Sequence, residues 1–182
     1  MVAETAALLA QKIKPKKVVF QGEPGANSHI ACAEVFPNSE AIALATFEDC
    51  FAALEAGEAD LGMIPIENSV AGRVADIHHL LPTSSLRIIG EFFLPIHHQL
   101  VGTKDSELAS INTVQSHVMA LGQCRKIIRE FGLKAVIGAD TAGSARQIAQ
   151  RGNASDAAIS SGLAAEIYGL KILMNNIEDE AH

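Results

Sequence analysis

Small polar residues stand at several points where an apolar run gives way to a predicted helix. In "GMIPIENSVAGRV", residues 62–74, a carboxylate, an amide and a hydroxyl follow an apolar run directly. A helix N-terminus carries free N–H groups and partial positive charge, so neutral donors placed there suit a small carboxylate ligand. For each residue alone an ordinary helix cap is the favoured explanation, and only the joint placement indicates a site. The residues are Asn27, Ser28, Asn68, Ser69, Ser116, Thr141, Ser160 and Ser161.

The elements that must position these residues alternate between strand and helix. Such alternation is typical of an α/β protein with a mainly parallel sheet, in which the loops after the strands' carboxyl ends line the ligand site. The run at 60–66 is apolar on both sides, which predicts a strand covered by helices on both faces. Periodicity predicts strands at 17–21, 41–45, 60–66, 111–115, 134–139, 156–160 and 170–177, and helices at 26–36, 46–57, 73–81, 117–131, 142–151 and 161–168.

A weak internal repeat divides the chain. Thr46 opens a predicted helix that ends at Gly57, and Thr141 opens one that ends at Gly152, each followed by an aspartate and an apolar strand. This predicts two similar α/β lobes with an interlobe cleft that holds the ligand, although one doubly wound sheet with chance matches stays an alternative. The predicted boundaries are an N-terminal helix or extension at 1–16, lobe 1 at 17–95 plus 172–182, and lobe 2 at 96–171. Pro95 predicts a bend in the long stretch between the lobes.

Composition excludes several classes of partner. The formal charge is −7 and no basic stripe exists, which argues against a nucleic-acid binder. No apolar run is long enough to span a bilayer, and the first residues lack the features of a signal peptide. The cysteines, Cys32, Cys50 and Cys124, are far apart and on predicted helices, which is typical of reduced thiols in a cytoplasmic protein.

Other chemistries find little support in the spacing. "GEPGANS", residues 22–28, lacks the third glycine of a dinucleotide fingerprint and the lysine of a phosphate loop. The histidine pairs at 78–79 and 97–98 lack metal-ligand spacing, so no metal is expected. Ser116 and His117 are neighbours whose side chains would point apart on a helix, so a capping role is favoured for Ser116. Gln123 follows Ser116 by two predicted helical turns and is flanked by core-facing Leu121 and Cys124, which makes it a candidate site residue.

Six motifs follow one another along the sequence: "GEPGANSHIA", "MIPIENSVAGRV", "SHVMALGQC", "DTAGSARQIA", "DAAISSGLAAEIYGL" and "NNIED". With these motifs the sequence resembles, over about residues 17–179, the catalytic domain of the prephenate dehydratase family. The resemblance implies two α/β lobes like those of type II periplasmic solute-binding proteins. It also implies conversion of prephenate to phenylpyruvate, water and carbon dioxide in L-phenylalanine biosynthesis, without a cofactor or a metal. A homodimer is compatible with it.

The resemblance also implies roles for particular residues. The ring hydroxyl needs a donor to leave as water, while a strong cation on the departing carboxylate would oppose its loss. Glu67 is either a buried acid or a support for its loop, and the second is favoured. The implied catalytic residues are Asn68, Ser116 and Gln123, and the implied substrate contacts are Ala26, Ser28, Glu67, Ser69, Thr141 and Ala142.

The sequence departs from the family pattern in two respects. The family's catalytic threonine lies in a Thr-Arg-Phe motif shortly after the Ile-x-Asp segment, and this sequence ends at His182 without that motif. We therefore expect this stretch to have little activity by itself. Asn27 stands where relatives often have an aromatic residue. Two other functions stay open: an arogenate dehydratase, distinguished by residues near 97–99 and 141–143, and a non-catalytic module that binds small carboxylates.

Overall fold

The computed structural model describes residues 13–70 and 72–179 and divides the chain into two compact units. Unit 1 takes in Met1–Glu23 and Asn27–Leu94, and unit 2 takes in Pro24–Ala26 and Pro95–His182. Both units are α/β, as predicted. Of the N-terminal helix or extension predicted at 1–16, residues 1–12 lie outside the described part of the chain.

Unit 1 is built on a parallel sheet with the strand order β2-β1-β3. Val18 and Phe20 of β1 pack with Cys32 of α1 on one face, and Val19 packs with Cys50 of α2 on the other. Helices therefore cover both faces of β1, which explains its unbroken apolar sequence. The elements of unit 1 are β1 Lys17–Gln21, α1 Asn27–Val35, β2 Glu40–Leu44, α2 Phe47–Glu55, β3 Leu61–Gly62, β4 Glu67–Asn68, β5 Gly72–Arg73 and α3 Ala75–Thr83.

The predicted strand at 60–66 is largely wrong. Only Leu61 and Gly62 form a strand, and the predicted burial on both sides fails because Ile66 is 40% exposed. Pro65 has no N–H to donate, so a ladder of hydrogen bonds cannot continue regularly through this position. The end of the apolar run is therefore an extended segment that leads into the hairpin β4–β5.

Unit 2 is built on a mixed sheet with the strand order β10-β6-β9-β7-β8. β7 pairs in parallel with β8 and β9, whereas β6 pairs antiparallel with β9 and β10. The prediction of a mainly parallel sheet therefore holds only for part of unit 2. Its elements are β6 Gln99–Gly102, a 3-10 helix Leu108–Ser110, β7 Thr113–Ser116, α4 Val118–Gln123, α5 Arg125–Glu130, β8 Lys134–Ile137, α6 Thr141–Arg151, β9 Asp156–Ser160, α7 Gly162–Ile167 and β10 Lys171–Met174.

The assignment of residues 172–182 to lobe 1 is contradicted by this sheet. In β10, Lys171 lies opposite Gly102 and Ile172 opposite Val101, so the strand forms an edge of unit 2. The hydrogen bond from Ile177 N to His98 O, 2.9 Å, holds the following residues to the same unit. Strand order depends on long-range pairing, which periodicity does not reveal.

Two core clusters pack on opposite faces of the unit 2 sheet. One contains Leu100 and Ile159 with residues of α4 and α5, and the other contains Val101 and Ala158 with residues of α6 and α7. Successive residues of β6 and β9 thus belong to different clusters, because their side chains point to opposite faces of the sheet.

The predicted helix 117–131 is broken at Cys124, whose φ of −123° and ψ of 33° are not helical. Asp179 makes the break stable. Its N–H donates to Gln123 O at 2.7 Å, and its carboxylate accepts from Arg125 N at 3.0 Å and from Lys126 N at 2.9 Å. A residue remote in sequence thus ends α4 and caps α5.

Candidate functional site

In unit 1, Glu67, Asn68 and Ser69 lie at a tight hairpin. Glu67 pairs across the hairpin with Arg73, and Asn68 Oδ1 accepts from Val70 N at 2.9 Å. This bond between an asparagine oxygen and the backbone two residues on stabilises the turn. Asn68 is half-buried, whereas Glu67 and Ser69 are exposed. A buried acid at Glu67 is therefore excluded, and support of the loop stays its predicted role.

Two further predicted contacts lie near the start of α1. Asn27 is the first residue of the helix and Ser28, the second, is half-buried. Ala26, which belongs to unit 2, is half-buried against the cluster that contains Ala142 and Ala164.

Ser116 is the last residue of β7 and is fully buried in unit 2. Its hydroxyl donates to Ile159 O on the neighbouring strand β9 at 2.7 Å. With its proton committed to this bond, the Ser116 hydroxyl has no second proton to donate to a ligand. Ser116 does not cap a helix. His117 is the N-cap of α4, and its Nδ1 accepts from Met119 N at 3.3 Å.

Gln123 is the last residue of α4 and is half-buried. Its Oε1 lies 2.7 Å from His98 Nε2. Leu121 and Cys124 are buried, which confirms the predicted core contacts on either side. The predicted separation of two helical turns is wrong, however, because Ser116 belongs to a strand and the helix begins at Val118.

A polar cluster that the sequence did not predict surrounds His98. Glu178 Oε2 accepts from His98 N at 3.0 Å, and Glu178 Oε1 lies 3.0 Å from His97 Nδ1. Burial alone would raise the pKa of Glu178, but the hydrogen bonds from His97 and His98 outweigh it and hold this pKa below its usual value. The adjacent histidines were a visible signal, but nothing local in the sequence connects them with Gln123.

Thr141 and Ala142 begin α6. The N-cap is Asp140, whose Oδ1 accepts from Gly143 N at 2.6 Å, so the threonine is not the cap. Thr46 does cap its helix, and the repeated threonines therefore have different roles. Ala142 is fully buried in the core, so its contact with a substrate stays a prediction.

Ser160 and Ser161 follow one another at the end of β9. Ser161 caps α7 by accepting from Ala164 N at 3.0 Å, and its hydroxyl donates to Gly25 O at 2.6 Å. Ser160 Oγ is buried without a hydrogen-bond partner in the part of the chain that the structure describes. Ser161 is thus a structural cap.

Within unit 2, the structure brings the carboxyl ends of β7, β8 and β9 to one edge of the sheet, as predicted for parallel strands. Ser116 lies at this edge, and Gln123 ends the helix that follows it. The residues Ser28, Glu67, Asn68 and Ser69 belong to unit 1. Their joint use with Ser116 and Gln123, and the cleft between the lobes, stay predictions.

Neither a metal-binding group nor a membrane-spanning helix is found in residues 13–70 and 72–179. No group of three or more His, Cys, Asp or Glu residues there could hold a metal ion. No helix in that part is long and apolar enough to cross a membrane. The three cysteines are unpaired and buried, and burial raises the pKa of Cys32 and Cys124 to about 12 and that of Cys50 to about 11.

The structure confirms the predicted class, an α/β protein made of two units. The family model for prephenate dehydratase matches residues 18–182, and the chain belongs to this family. This confirms the resemblance carried by the motifs.

The relatives of the chain carry several names. The chain is 44% identical over 165 residues to the bifunctional N-acyl-homoserine lactone acylase/prephenate dehydratase of Komagataeibacter europaeus, covering 91% of this chain and 59% of that relative. It is 40% identical over 167 residues to arogenate dehydratase 1 of Petunia hybrida, covering 91% and 39% respectively. The chain therefore spans 39 to 59% of the length of these curated relatives.

A solved structure shows the same fold. The prephenate dehydratase of Arthrobacter aurescens in complex with L-Phe is 32% identical and superposes with a TM-score of 0.83. The alignment covers 91% of this chain and 56% of that chain.

Proposed function

We propose that the chain is the catalytic part of a prephenate dehydratase, a carbon–oxygen lyase of L-phenylalanine biosynthesis. The observation that carries the proposal is the family match across residues 18–182, which contains every motif of the resemblance. In this reaction the bond to the ring carboxylate breaks and its electron pair completes the aromatic ring. The ring hydroxyl leaves with its bonding pair and takes up a proton, which gives water, carbon dioxide and phenylpyruvate.

We assign Asn68, Ser116 and Gln123 to the reacting ring. The geometry of Gln123 supports this, because an amide oxygen held by His98 leaves the amide N–H groups for the departing hydroxyl. The buried Ser116, with its own proton engaged, is suited to accept rather than to donate. The proposed contacts to the rest of the substrate are Ala26, Ser28, Glu67, Ser69, Thr141 and Ala142.

The test measures phenylpyruvate by ultraviolet absorbance after incubation with prephenate. Because the resemblance places a catalytic threonine in a Thr-Arg-Phe motif, we assay the 182-residue chain and the same chain joined to a segment that carries this motif. Asn68→Ala and Gln123→Ala should each lower kcat about 100-fold or more, as expected for loss of a transition-state donor. Asn38→Ala and Gln150→Ala are matched controls, since both residues are exposed. If Asn68→Ala and Gln123→Ala turn over prephenate as fast as their controls Asn38→Ala and Gln150→Ala, the assignments are refuted.

Two other functions are outcomes of the same experiment. Conversion of arogenate to phenylalanine in preference to prephenate would make the protein an arogenate dehydratase, the name of several relatives. Binding of prephenate without product in the extended chain would make it a non-catalytic carboxylate-binding module. Hydrolysis of an N-acyl-homoserine lactone, measured in parallel, tests the second activity in the name of the Komagataeibacter relative.

We further propose a cytoplasmic homodimer. The three buried, unpaired cysteines support a reducing compartment. Ile88 and Phe93, which are 66% and 65% exposed, support burial of an apolar surface by a second copy. Light scattering should give about twice the chain mass of 19.2 kDa, and a mass equal to one chain would contradict the dimer.

A further inference from the structure

His98 is buried and is held by three hydrogen bonds in the part of the chain that the structure describes. The residue is only 6% exposed, its N–H donates to Glu178 Oε2, and its carbonyl accepts from Ile177 N. The ring has little freedom to turn without breaking its 2.7 Å contact with Gln123 Oε1. The imidazole is therefore a rigid support for the glutamine side chain.

The direction of the contact follows from the chemistry of the two groups. An amide oxygen only accepts hydrogen bonds, so the proton of this contact must be on His98 Nε2. The amide nitrogen of Gln123 then points away with both N–H groups, for which the described residues offer no hydrogen-bond partner. If the amide were turned over, its oxygen would face the ligand and would repel a carboxylate or a departing hydroxyl.

We propose that His98 is a positioning residue that selects which end of the Gln123 amide faces the ligand. The histidine acts through the Gln123 side chain and takes no part in the bond breaking. It holds Oε1 through its Nε2–H and so presents the N–H groups of Gln123 as donors. This inference deepens the proposed dehydratase function, and its kinetic test rests on that function.

The first experiment does not depend on activity. Long-range proton–nitrogen NMR spectra of the 15N-labelled protein report which ring nitrogen of each histidine carries the proton. We expect a proton on Nε2 of His98, with the His98 signals assigned from a His98→Gln sample. In Gln123→Leu, which removes the acceptor, we expect a smaller fraction of His98 to carry its proton on Nε2. A neutral His98 with its proton on Nδ1, or a tautomer unchanged in Gln123→Leu, would overturn the proposal.

The second experiment separates positioning from folding. His98→Leu should lower kcat about 10-fold or more with a smaller change in KM, while His98→Gln, whose amide N–H can replace Nε2–H, should restore most of the activity. His78→Leu is the matched control, because His78 is an exposed histidine in unit 1.

A double-mutant cycle then tests whether His98 acts through Gln123. In the Gln123→Ala background, His98→Leu should cause little further loss of kcat, because the group that it positions is already gone. Equal losses in both backgrounds would show that His98 acts independently and would overturn the proposal. If the wild-type chain makes no product in any form tested, the dehydratase proposal fails, and the NMR result alone decides the orientation of Gln123.

Discussion

Gly25 is a position at which one added methyl group should strongly destabilise unit 2. Its φ is +92°, a conformation that L side chains rarely adopt. A Cβ added at Gly25 would lie 2.6 Å from both Cα and Cβ of Ala164, and 2.9 Å from Ala164 N. Carbon atoms normally pack at roughly 3.5–4.0 Å, so α7 or the segment at Gly25 would have to move by about 1 Å.

The cost of Gly25→Ala follows from two terms. The left-handed backbone conformation costs roughly 1–2 kcal/mol for a residue with a Cβ. Overpacking against fixed backbone typically adds about 1–3 kcal/mol. We therefore expect the free energy of unfolding to fall by about 2–5 kcal/mol. With a urea slope of about 2 kcal/mol per M, the midpoint should fall by roughly 1–2.5 M.

Tyrosine fluorescence provides a local assay of this change. Tyr168 is the single tyrosine in a chain without tryptophan, and its hydroxyl donates to Pro24 O at 2.9 Å. Its emission during urea unfolding should therefore report on the segment that contains Gly25. The wild-type and variant curves are compared at equal protein concentration.

Gly152→Ala is the matched control for the backbone term. Gly152 ends α6 with a φ of +65°, and an added Cβ there would meet nothing within 4 Å. Its substitution should cost about 1 kcal/mol, from strain alone. If Gly25→Ala costs no more than Gly152→Ala, the close approach of Gly25 to Ala164 is not present in solution and our reasoning is wrong.

Three further predictions concern caps and pH. Asp179→Ala should lower the free energy of unfolding by about 1 kcal/mol in urea titrations, because the first turn of α5 loses its acceptor; Asp179→Asn should lose less. Thr46→Ala should lower it by about 1 kcal/mol, measured by circular dichroism, whereas equal losses in Thr46→Ser would contradict the capping role. Because the pKa of Glu178 is lower in the folded state, its contribution to stability should be present above the ordinary value of 4.5 and should fall as the pH drops below it. Glu178→Gln should flatten this acid dependence, and an unchanged slope would refute it.

Features set by neighbouring residues were predictable from the sequence. The capping box at Thr46 is the clearest case, since both of its hydrogen bonds join Thr46 and Asp49, three residues apart. The central strand β1 was equally clear, because its apolar run matches burial on both faces. Pro65 is likewise a local signal, and it argues against the long strand predicted at 60–66.

Features set by remote residues were not predictable in this way. The pairing of β10 with β6 and the close approach of Gly25 to Ala164 depend on contacts between distant parts of the chain. Gly25 illustrates the difficulty. In the sequence, the segment "GEPG" shows only two glycines at the spacing of a turn. In the structure, Gly25 lies so close to Ala164 of α7 that there is no room for a Cβ.

The prediction of Gln123 as a site residue was based on a helical spacing that the structure does not have. Its seven-residue spacing from Ser116 suggested one helical face, but Ser116 ends a strand and the helix breaks just after Gln123. The placement of the glutamine is determined by Asp179, which binds its backbone carbonyl, and by His98, which binds its side chain. Both partners are far from Gln123 in sequence. Replacing the His98 side chain should therefore alter turnover through Gln123, whereas the Asp179 N–H that binds the Gln123 carbonyl is kept in any residue other than proline.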